Sequence, residues 1–184
     1  DDGLVLLMQG GLSAGRNIEE LVLGMSQVRN PRVHLVVLGD GSLREKLLRV
    51  VDRHRLSAKV HLLPAVPQAE LLDWTQAADA GVIPYQANCL NNYYCTPNKL
   101  FEFIAAGLPV LASDLPEIRN VVATHGIGRL ADLGTPEAMA AAIDDFFSDS
   151  AQLRAWREAA ERAREVVNWD VEGRKVVELF ERLR

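Results

Sequence analysis

The chain is poor in residues that bind metals or form cross-links. Its 184 residues include two cysteines, Cys89 and Cys95, and four scattered histidines, His34, His54, His61 and His125. A zinc site needs a close group of Cys and His ligands, and a disulfide framework needs several cysteine pairs. Neither is indicated here. The pattern predicts two reduced loop thiols in a cytosolic protein.

The chain also lacks an excess of positive charge and a long apolar run. Its 20 Lys and Arg residues face 25 Asp and Glu residues, which gives a formal net charge of −5. A general nucleic-acid binder needs a basic surface to replace phosphate counterions, so nucleic acid is not an expected partner. A small anion in a local basic pocket stays open. No apolar run approaches the roughly 20 residues of a membrane-spanning helix.

What the sequence has is an alternation of β-branched apolar runs with longer amphipathic stretches. Strands are predicted near 4–9, 33–38, 60–63, 80–83, 109–112 and 127–130, and helices near 17–29, 42–55, 68–77, 97–106, 116–123 and 135–147. This series predicts an α/β fold with a Rossmann-like, doubly wound parallel sheet of about six strands and helices on both faces. Extra helices are predicted near 150–166 and 169–183.

The length suits a single domain covering residues 1–184. The chain begins without an initiator methionine and enters a strand-like run almost at once, so we expect that it is part of a longer protein.

Two predicted connections are longer than the roughly 2–6 residues typical of such folds. One runs from Gly10 to Asn17 after the first strand, and the other from Pro84 to Thr96 after the fourth. If the strand order is 3-2-1-4-5-6, these strands are neighbours where the order reverses, and open α/β sheets bind ligands there. The two loops are therefore predicted to border a ligand site.

The helix predicted at 97–106 keeps polar residues on one narrow face. Thr96 suits the cap position, Pro97 suits the first helical position, and the helix ends at Gly107. Asn98, Lys99 and Glu102 share one wedge at about 100° per residue, and the residues predicted to be core are Leu100, Phe101, Phe103 and Ile104.

A phosphate at the start of this helix would meet free N–H groups and the charge of Lys99. The alternative is a surface ion pair between Lys99 and Glu102 at i,i+3 spacing, worth about 0.2–0.5 kcal/mol.

The glycine-rich loop fits neither common nucleotide motif. Gly10-Gly11-x-x-x-Gly15 departs from G-x-G-x-x-G, and no acidic residue closes the second strand, so hydride-transfer enzymes are disfavoured. As a P-loop it has Arg16-Asn17 in place of the lysine and the hydroxyl residue, so a nucleotide triphosphatase is disfavoured too. Arg16 can still bind a phosphate through two N–H groups; a solvated Arg16 is the alternative.

Two further polar segments give weaker signals. Gly39-Asp40-Gly41-Ser42 is predicted to form a tight turn with Ser42 as a helix cap. The pair Asp144-Asp145 is expected to lie on a solvated helix face. No catalytic base is assigned among the histidines.

Four motifs occur in an order that is typical of one enzyme family. They are Gln9-Gly10-Gly11-Leu12-x-x-Gly15-Arg16-Asn17, Val37-Leu38-Gly39-Asp40-Gly41, Ala78-Asp79-x-Gly81-x-x-Pro84 and Pro97-Asn98-Lys99-Leu100-Phe101-Glu102-x-x-Ala105-Ala106-Gly107-x-Pro109-Val110. Together they resemble the C-terminal, donor-binding half of retaining glycosyltransferases of the GT-B fold. In that family two Rossmann-like domains face each other across a cleft, the first holding the acceptor and the second the nucleotide-sugar. The resemblance implies that an N-terminal acceptor domain is missing from this chain.

The resemblance also implies roles for individual residues. Glu102 matches the second glutamate of the E-x7-E motif, which binds the ribose hydroxyls in relatives. Backbone amides from Asn98 to Leu100 match the region that holds the diphosphate, beside the loop at Gly10 and Gly11.

Relatives usually neutralise the diphosphate with an Arg and a Lys from the first loop. Here Gly11 stands at the first position and Arg16-Asn17 replaces the Lys-Gly pair, so Arg16 and Lys99 are the candidates to supply charge and to stabilise the leaving group. The main departure is Tyr94, which replaces the first glutamate of E-x7-E. Because that glutamate lies near the transferred sugar in relatives, Tyr94 bears on sugar recognition.

The implied reaction transfers a sugar from a nucleoside diphosphate to an acceptor with retention at the anomeric carbon. The resemblance implies no metal and no other cofactor. Its expected partners are the nucleotide-sugar donor, a glycan or lipid acceptor, and the N-terminal domain. A cytoplasmic location is expected, with peripheral membrane association at the inner face through the other half.

Two alternatives belong to other classes of protein. One is an isolated nucleotide-binding module without transferase activity, and the other is a response-regulator or flavodoxin-like domain, which would have five strands and an acidic or flavin-binding loop.

The C-terminal helix, within 168–184, carries an apolar stripe. Its residues are Val176, Leu179, Phe180 and Leu183, widened by Val177. This stripe packs either on the chain's own sheet or on the N-terminal domain.

Overall fold

The computed structural model describes residues 3–183 and contains a six-stranded parallel sheet. The strands are β1 (Leu4–Gln9), β2 (Val33–Leu38), β3 (Val60–Leu63), β4 (Ala80–Ile83), β5 (Val110–Ser113) and β6 (Gly128–Ala131). Their spatial order is β3-β2-β1-β4-β5-β6. The order reverses between β1 and β4, which pair in parallel at Leu6 with Ala80 and at Leu7 with Gly81. The predicted doubly wound sheet is confirmed, and the strand bounds differ from the prediction by at most one residue.

Helices fill the connections between strands and continue after the last one. They are α1 (Ile18–Gly24), α2 (Arg44–Arg53), α3 (Leu71–Gln76), α4 (Leu90–Tyr94), α5 (Asn98–Ala105), α6 (Pro116–His125), α7 (Pro136–Phe146), α8 (Ser150–Arg164) and α9 (Trp169–Arg182). All but α4 are predicted from the sequence. α4 lies inside the connection between Pro84 and Thr96, where we expected a loop.

Each face of the sheet has its own apolar core, because successive residues of a strand point to opposite faces. On one face Leu6 and Met8 of β1 pack with residues of α1, α2 and α7, including Phe146. On the other face Leu7 packs with residues of α5, α6 and α8, including Phe103. Helices therefore cover both faces, as the sequence predicts.

The last two helices differ in how they pack. α8 buries Ala159, Ala160 and Ala163 against the core that includes α5, whereas α9 has no buried residue. The apolar stripe of α9 is 45–76% exposed at Val176, Val177, Leu179, Phe180 and Leu183. The alternative that this stripe covers the chain's own sheet is therefore wrong. Within residues 3–183, no helix combines the length and apolar character that crossing a membrane requires.

Two minor sequence predictions are wrong. The cap position of α2 is held by Leu43, and no side chain caps that helix, so Ser42 does not have the predicted role. Asp144 is not solvated, because its carboxylate accepts hydrogen bonds from the backbone N–H groups of Arg29 and Asn30 and from the Arg29 side chain. Burial opposes ionisation of Asp144, but these donors still hold its pKa below the ordinary value. The neighbouring Asp145 is half exposed, as expected.

Candidate functional site

A groove lies at the carboxyl ends of β1 and β4, where the strand order reverses. Its main cavity has a volume of about 320 Å³. Both long connections contribute to its lining, which consists of Gln9, Gly10, Gly11, Arg16, Tyr85, Asn91, Asn92, Cys95, Pro97, Asn98, Lys99 and Glu102. The structure thus brings together every predicted site residue except Leu100.

The start of α5 forms one wall of the groove. The helix begins at Asn98, one residue later than predicted, because Pro97 has an extended backbone and takes the cap position that we assigned to Thr96. Pro97 offers no side-chain cap, so N–H groups of the first turn remain for a ligand. The N–H of Leu100 is already used, since it donates to the carbonyl of Pro97 at 2.9 Å. The N–H groups of Asn98 and Lys99 are therefore the better placed donors.

The residues predicted to form the buried face of α5 are buried, with one exception. Leu100, Phe103 and Ile104 are fully buried, but Phe101 is 39% exposed and is not core. The helix ends as predicted before Gly107, whose φ of +68° suits a glycine.

Lys99 is buried in the groove without a hydrogen-bond partner. Its side chain is 4% exposed, and its Nζ is one of two buried side-chain polar atoms within residues 3–183 that lack a partner. Nζ lies 5.3 Å from the centre of the Tyr85 ring, which offers a weak attraction to a cation. Burial, followed by the nearby charge of Arg16, lowers the pKa of Lys99 from 10.5 to about 7. The alternative of a surface pair with Glu102 is therefore wrong.

Arg16 supplies a second cation from the glycine-rich loop. Its Nη1 donates to the carbonyl of Gly11 at 3.2 Å, and its Cζ lies 5.6 Å from the centre of the Tyr85 ring. An added Cβ at Gly11 would lie 3.5 Å from that same nitrogen, so the guanidinium sits directly beside Gly11. Arg16 and Lys99 line the same cavity and together make this part of the groove attractive to a negatively charged ligand.

Gly10 keeps the space above Lys99 open. Its φ is +102°, a conformation that strains other residues, and an added Cβ would lie 3.9 Å from the Nζ of Lys99. A ligand phosphate can therefore approach the backbone and the ammonium group together.

Glu102 lies deeper in the groove and is held by a buried polar chain. Its Oε2 accepts a hydrogen bond of 2.6 Å from Nε2 of Gln9, and Oε1 of Gln9 accepts one of 2.9 Å from the hydroxyl of Thr75. Gln9 and Thr75 are both fully buried. One carboxylate oxygen of Glu102 is thus engaged, and the other remains available to hydroxyl groups of a ligand.

An adjoining cleft of about 290 Å³ extends the groove toward β2 and β3. It shares Gly10, Gly11 and Glu102 with the main cavity, and its other lining residues are Leu38, Gly39, Asp40, Ala65, Val66, Gln68 and Leu71. Glu102 therefore stands between a cationic compartment and a more apolar one.

The segment that contains α4 closes the other side of the groove. Asn88 and Asn92 each donate an amide hydrogen bond of 2.9 Å to the carbonyl of Gly15, which ties this segment to the glycine-rich loop. Tyr94, at the position of the replaced glutamate, is 59% exposed and packs edge-on against Tyr93. Tyr94 does not line the main cavity.

Cys95 and Tyr85 are the remaining ionisable side chains of the main cavity. Burial raises the pKa of the Cys95 thiol and also that of the Tyr85 hydroxyl, so both are neutral near pH 7. Across residues 3–183 no group of three or more His, Cys, Asp or Glu side chains is arranged to hold a metal ion. The absence of a metal cofactor stays a prediction from the resemblance.

Sequence reasoning missed Gln9, Thr75 and Tyr85 as parts of this site. Gln9 gave one usable signal, because a polar amide closes an otherwise apolar buried strand. Thr75 lies on a short helix distant in sequence, and no local pattern connects it with Gln9.

The fold and groove define a Rossmann-like α/β domain with an anion-attracting site at the point where the strand order reverses. Solved structures share this fold. The HepE protein of Anabaena in complex with UDP superposes with a TM-score of 0.83 at 17% identity, covering 98% of this chain and 49% of HepE. Sucrose-phosphate synthase of Thermosynechococcus elongatus gives 0.80 at 25% identity, covering all of this chain and 46% of that protein.

Residues 1–163 match the family of glycosyl transferases group 1, and the chain belongs to that family. It is 29% identical over 149 residues to D-inositol 3-phosphate glycosyltransferase of Thermobispora bispora, covering 77% of this chain and 32% of that enzyme. It is 30% identical over 164 residues to phosphatidyl-myo-inositol mannosyltransferase of Mycolicibacterium smegmatis, covering 83% of this chain and 38% of that enzyme. The chain thus spans about a third of these relatives' length, and the predicted resemblance to the C-terminal domain of GT-B glycosyltransferases is confirmed.

Proposed function

We propose that this chain binds the nucleoside diphosphate part of a sugar donor and takes part in transfer of that sugar to an acceptor. In this proposal Lys99, Arg16 and the first N–H groups of α5 hold the diphosphate. Glu102 accepts hydrogen bonds from the ribose hydroxyls. The base lies in the adjoining cleft beside Gly39. Two neighbours in structure were crystallised with UDP, HepE and the TarM protein of S. aureus, which supports a nucleotide in the equivalent groove.

The observation that carries this proposal is the buried, unpartnered ammonium group of Lys99. Burying an amine without a hydrogen bond or an ion pair costs about 1–3 kcal/mol or more. A diphosphate would supply the missing partner, and Arg16 stands within the same cavity to share its charge. The proposal therefore explains a costly feature that packing of the chain alone does not explain.

The proposed chemistry breaks the bond between the anomeric carbon and the diphosphate oxygen, and forms a bond from that carbon to an acceptor oxygen with retention. Negative charge grows on the leaving phosphate as the first bond breaks. Arg16 and Lys99 are fixed before the reaction, and preorganised cations of this kind stabilise such charge effectively. The proton of the acceptor hydroxyl passes to the oxygen of the leaving diphosphate, and no metal enters the proposal.

We further propose that the acceptor, a glycan or a lipid, is held mainly by polypeptide outside these 184 residues. The relatives are about three times as long as the matched region, and the apolar stripe of α9 offers a surface for an adjoining N-terminal domain. The 184-residue chain by itself is then a donor-binding module that does not transfer sugar. The two functions considered from the sequence, a sugar transferase and a nucleotide-binding module, then describe the whole enzyme and this part of it.

A thermal-shift screen tests the donor proposal. UDP, GDP and ADP and their sugar conjugates are compared with the matching monophosphates. At a concentration of about 100 times its Kd, the correct diphosphate should add about 2.7 kcal/mol to the free energy of unfolding, and its monophosphate clearly less. If no diphosphate stabilises the chain more than its monophosphate, the proposed diphosphate site is wrong.

A further inference from the structure

Glu102 does not stand alone in the groove, because two fully buried polar residues lie behind it. Gln9 closes β1 and Thr75 lies on α3, while Glu102 belongs to α5. Three separate elements thus converge on one carboxylate. Burying a polar side chain costs free energy unless its polar groups are hydrogen-bonded. A hydrogen-bonded series of buried polar residues behind Glu102 therefore suggests a function.

The carboxylate of Glu102 fixes the orientation of the Gln9 amide. Nε2 of Gln9 donates to Oε2 of Glu102, so Oε1 of Gln9 points back to Thr75. A flipped amide would set its oxygen against the carboxylate, with two acceptors facing each other. The hydroxyl of Thr75 lies 2.9 Å from Oε1 of Gln9 and 2.6 Å from the carbonyl of Leu71. Its single proton serves one of these two acceptors at a time, so the support that Thr75 gives to Gln9 is shared with the backbone of α3.

We propose that Gln9 is a positioning residue that orients Glu102, and that the chain from Thr75 through Gln9 to Glu102 sets how strongly this site prefers ribose to 2′-deoxyribose. The inference rests on the proposed role of Glu102 at the ribose. A glutamate side chain has several rotatable bonds, so an unsupported carboxylate would spend much of its time in other rotamers. The bond from Gln9 holds one oxygen and leaves the other facing the two compartments that Glu102 borders.

The preference follows from hydrogen bonding to a charged acceptor. A bond of this kind is worth about 1.5–3 kcal/mol, which corresponds to roughly tenfold to a hundredfold in affinity. That gain requires an oxygen already in place, because ordering the side chain on binding would consume part of it. Loss of Gln9 should therefore weaken the ribose contact while leaving the diphosphate contacts of Lys99 and Arg16 intact.

The test compares UDP with 2′-deoxy-UDP by calorimetric titration, with the GDP pair used in the same way if GDP is the nucleotide that binds. The variants are Gln9→Met, which keeps the volume but cannot donate, and Glu102→Ala. Inorganic pyrophosphate serves as a ligand without ribose. Ser113→Ala is the matched control, because it removes a buried polar group from the neighbouring cleft beside β5.

We expect wild type to prefer the ribonucleotide by about tenfold or more. Gln9→Met should lower the ratio of the affinities for the ribonucleotide and the 2′-deoxyribonucleotide nearly to the ratio of Glu102→Ala, with unchanged affinity for pyrophosphate. Ser113→Ala should behave as wild type. If Glu102→Ala removes the preference and Gln9→Met retains it fully, the positioning role is wrong and the ribose site stands. If wild type has no preference, or Glu102→Ala keeps it, the ribose assignment itself is wrong.

A second variant guards against misfolding of Gln9→Met. Thr75→Val keeps the amide of Gln9 and removes only the hydroxyl that supports it. It should lower the preference for ribose by a smaller factor, again with unchanged affinity for pyrophosphate. If Thr75→Val prefers ribose as strongly as wild type does, then Thr75 does not contribute to the positioning of Glu102, and the proposed role is limited to Gln9. An equal loss of affinity for both nucleotides and for pyrophosphate, in either variant, would indicate a structural role and overturn the inference.

Discussion

Lys99 is the residue whose surroundings suit its charge least. The sequence predicts that it shares a wedge with Asn98 and Glu102, and both a phosphate site and a surface ion pair fit that pattern. Its burial and its lack of a partner contradict the ion pair. A helical periodicity shows which residues share a face, but it does not show what covers that face. Only the fold brings the glycine-rich loop and Tyr85 over Lys99.

Replacing Lys99 by methionine should stabilise the unliganded chain. In the folded chain the pKa of Lys99 is about 7, below the ordinary 10.5, so the unfolded chain binds more protons between these values and stability rises with pH across this window. The cost of burying Lys99 is therefore fully present below about pH 7. There Lys99→Met should gain about 1–3 kcal/mol in the free energy of unfolding, and the gain should shrink toward pH 10.

Urea denaturation at a series of pH values measures this gain. Lys59→Met is the matched control, because Lys59 donates a hydrogen bond to the carbonyl of Val28 and is only half-buried. It should show no gain that varies with pH in this way. A destabilised Lys99→Met, or a difference independent of pH, would mean that Lys99 is not buried as a strained cation.

Binding of a diphosphate should depend on pH through the same residue. Above the second pKa of a phosphate, about 6, the charge of the ligand is nearly constant, while Lys99 loses its proton from about pH 7 upward. We expect the affinity of wild type for a nucleoside diphosphate to fall as pH rises through this range. The bound anion favours the protonated amine, so proton uptake should accompany binding.

The same titration of Lys99→Met isolates this effect. The variant lacks the titrating lysine, so it should bind more weakly than wild type but with an affinity that hardly changes between about pH 7 and pH 9. Equal slopes in wild type and variant would assign the pH dependence to another group.

Among the elements, α4 is the one that the sequence does not reveal. Its five residues include none that is buried, so no apolar periodicity marks it. It is held instead by Cys89, whose Sγ accepts from the N–H of Asn92, and by the amide bonds to Gly15. Polar contacts between distant segments of this kind leave no local pattern. α5 is the opposite case, because its buried face and its ending at Gly107 are both visible in the sequence.

The apolar stripe of α9 yields a prediction for an element. Because Leu179 and Phe180 are 58% and 66% exposed, replacing both by glutamine should leave the free energy of unfolding nearly unchanged. The same change should reduce self-association and binding of a hydrophobic dye, since exposed apolar patches of this kind mark interaction surfaces. Analytical ultracentrifugation and dye fluorescence measure the two effects.

The control substitutes the polar face of the same helix, with Arg174→Gln and Glu181→Gln. It should alter neither association nor dye binding. A wild-type chain that is monomeric and binds no dye would contradict the idea that α9 packs on an N-terminal domain.

At the scale of the whole molecule, the topology is the most predictable property. Runs such as 35–38 are continuously apolar, which is typical of parallel strands covered on both faces, and amphipathic stretches separate them. The location of the groove follows from the strand order, because β1 and β4 bring their loops together. The hydrogen bonds behind Glu102 cannot be predicted from the strand order, because Gln9 and Thr75 come together only when β1 and α3 pack.

The size of the chain relative to its family also has a consequence at this scale. The chain matches about a third of the length of its curated relatives, and its groove opens at the edge where the strands end. In our proposal the nucleotide binds to this domain, and the acceptor is brought to the groove by the remainder of a larger enzyme. In the same proposal, the identity of the sugar depends on contacts near Tyr94, where the resemblance to the family predicts a glutamate.

The central claim is that Arg16 and Lys99 hold a diphosphate, and calorimetric titration with UDP and GDP tests it most directly. We predict that Arg16→Ala and Lys99→Ala each weaken binding of the preferred nucleotide by about 1.5–3 kcal/mol, the range for hydrogen bonds to charged groups. Lys59→Ala, which removes a lysine beside the start of β3, should bind as wild type does. Unchanged affinities in both Arg16→Ala and Lys99→Ala would contradict the account.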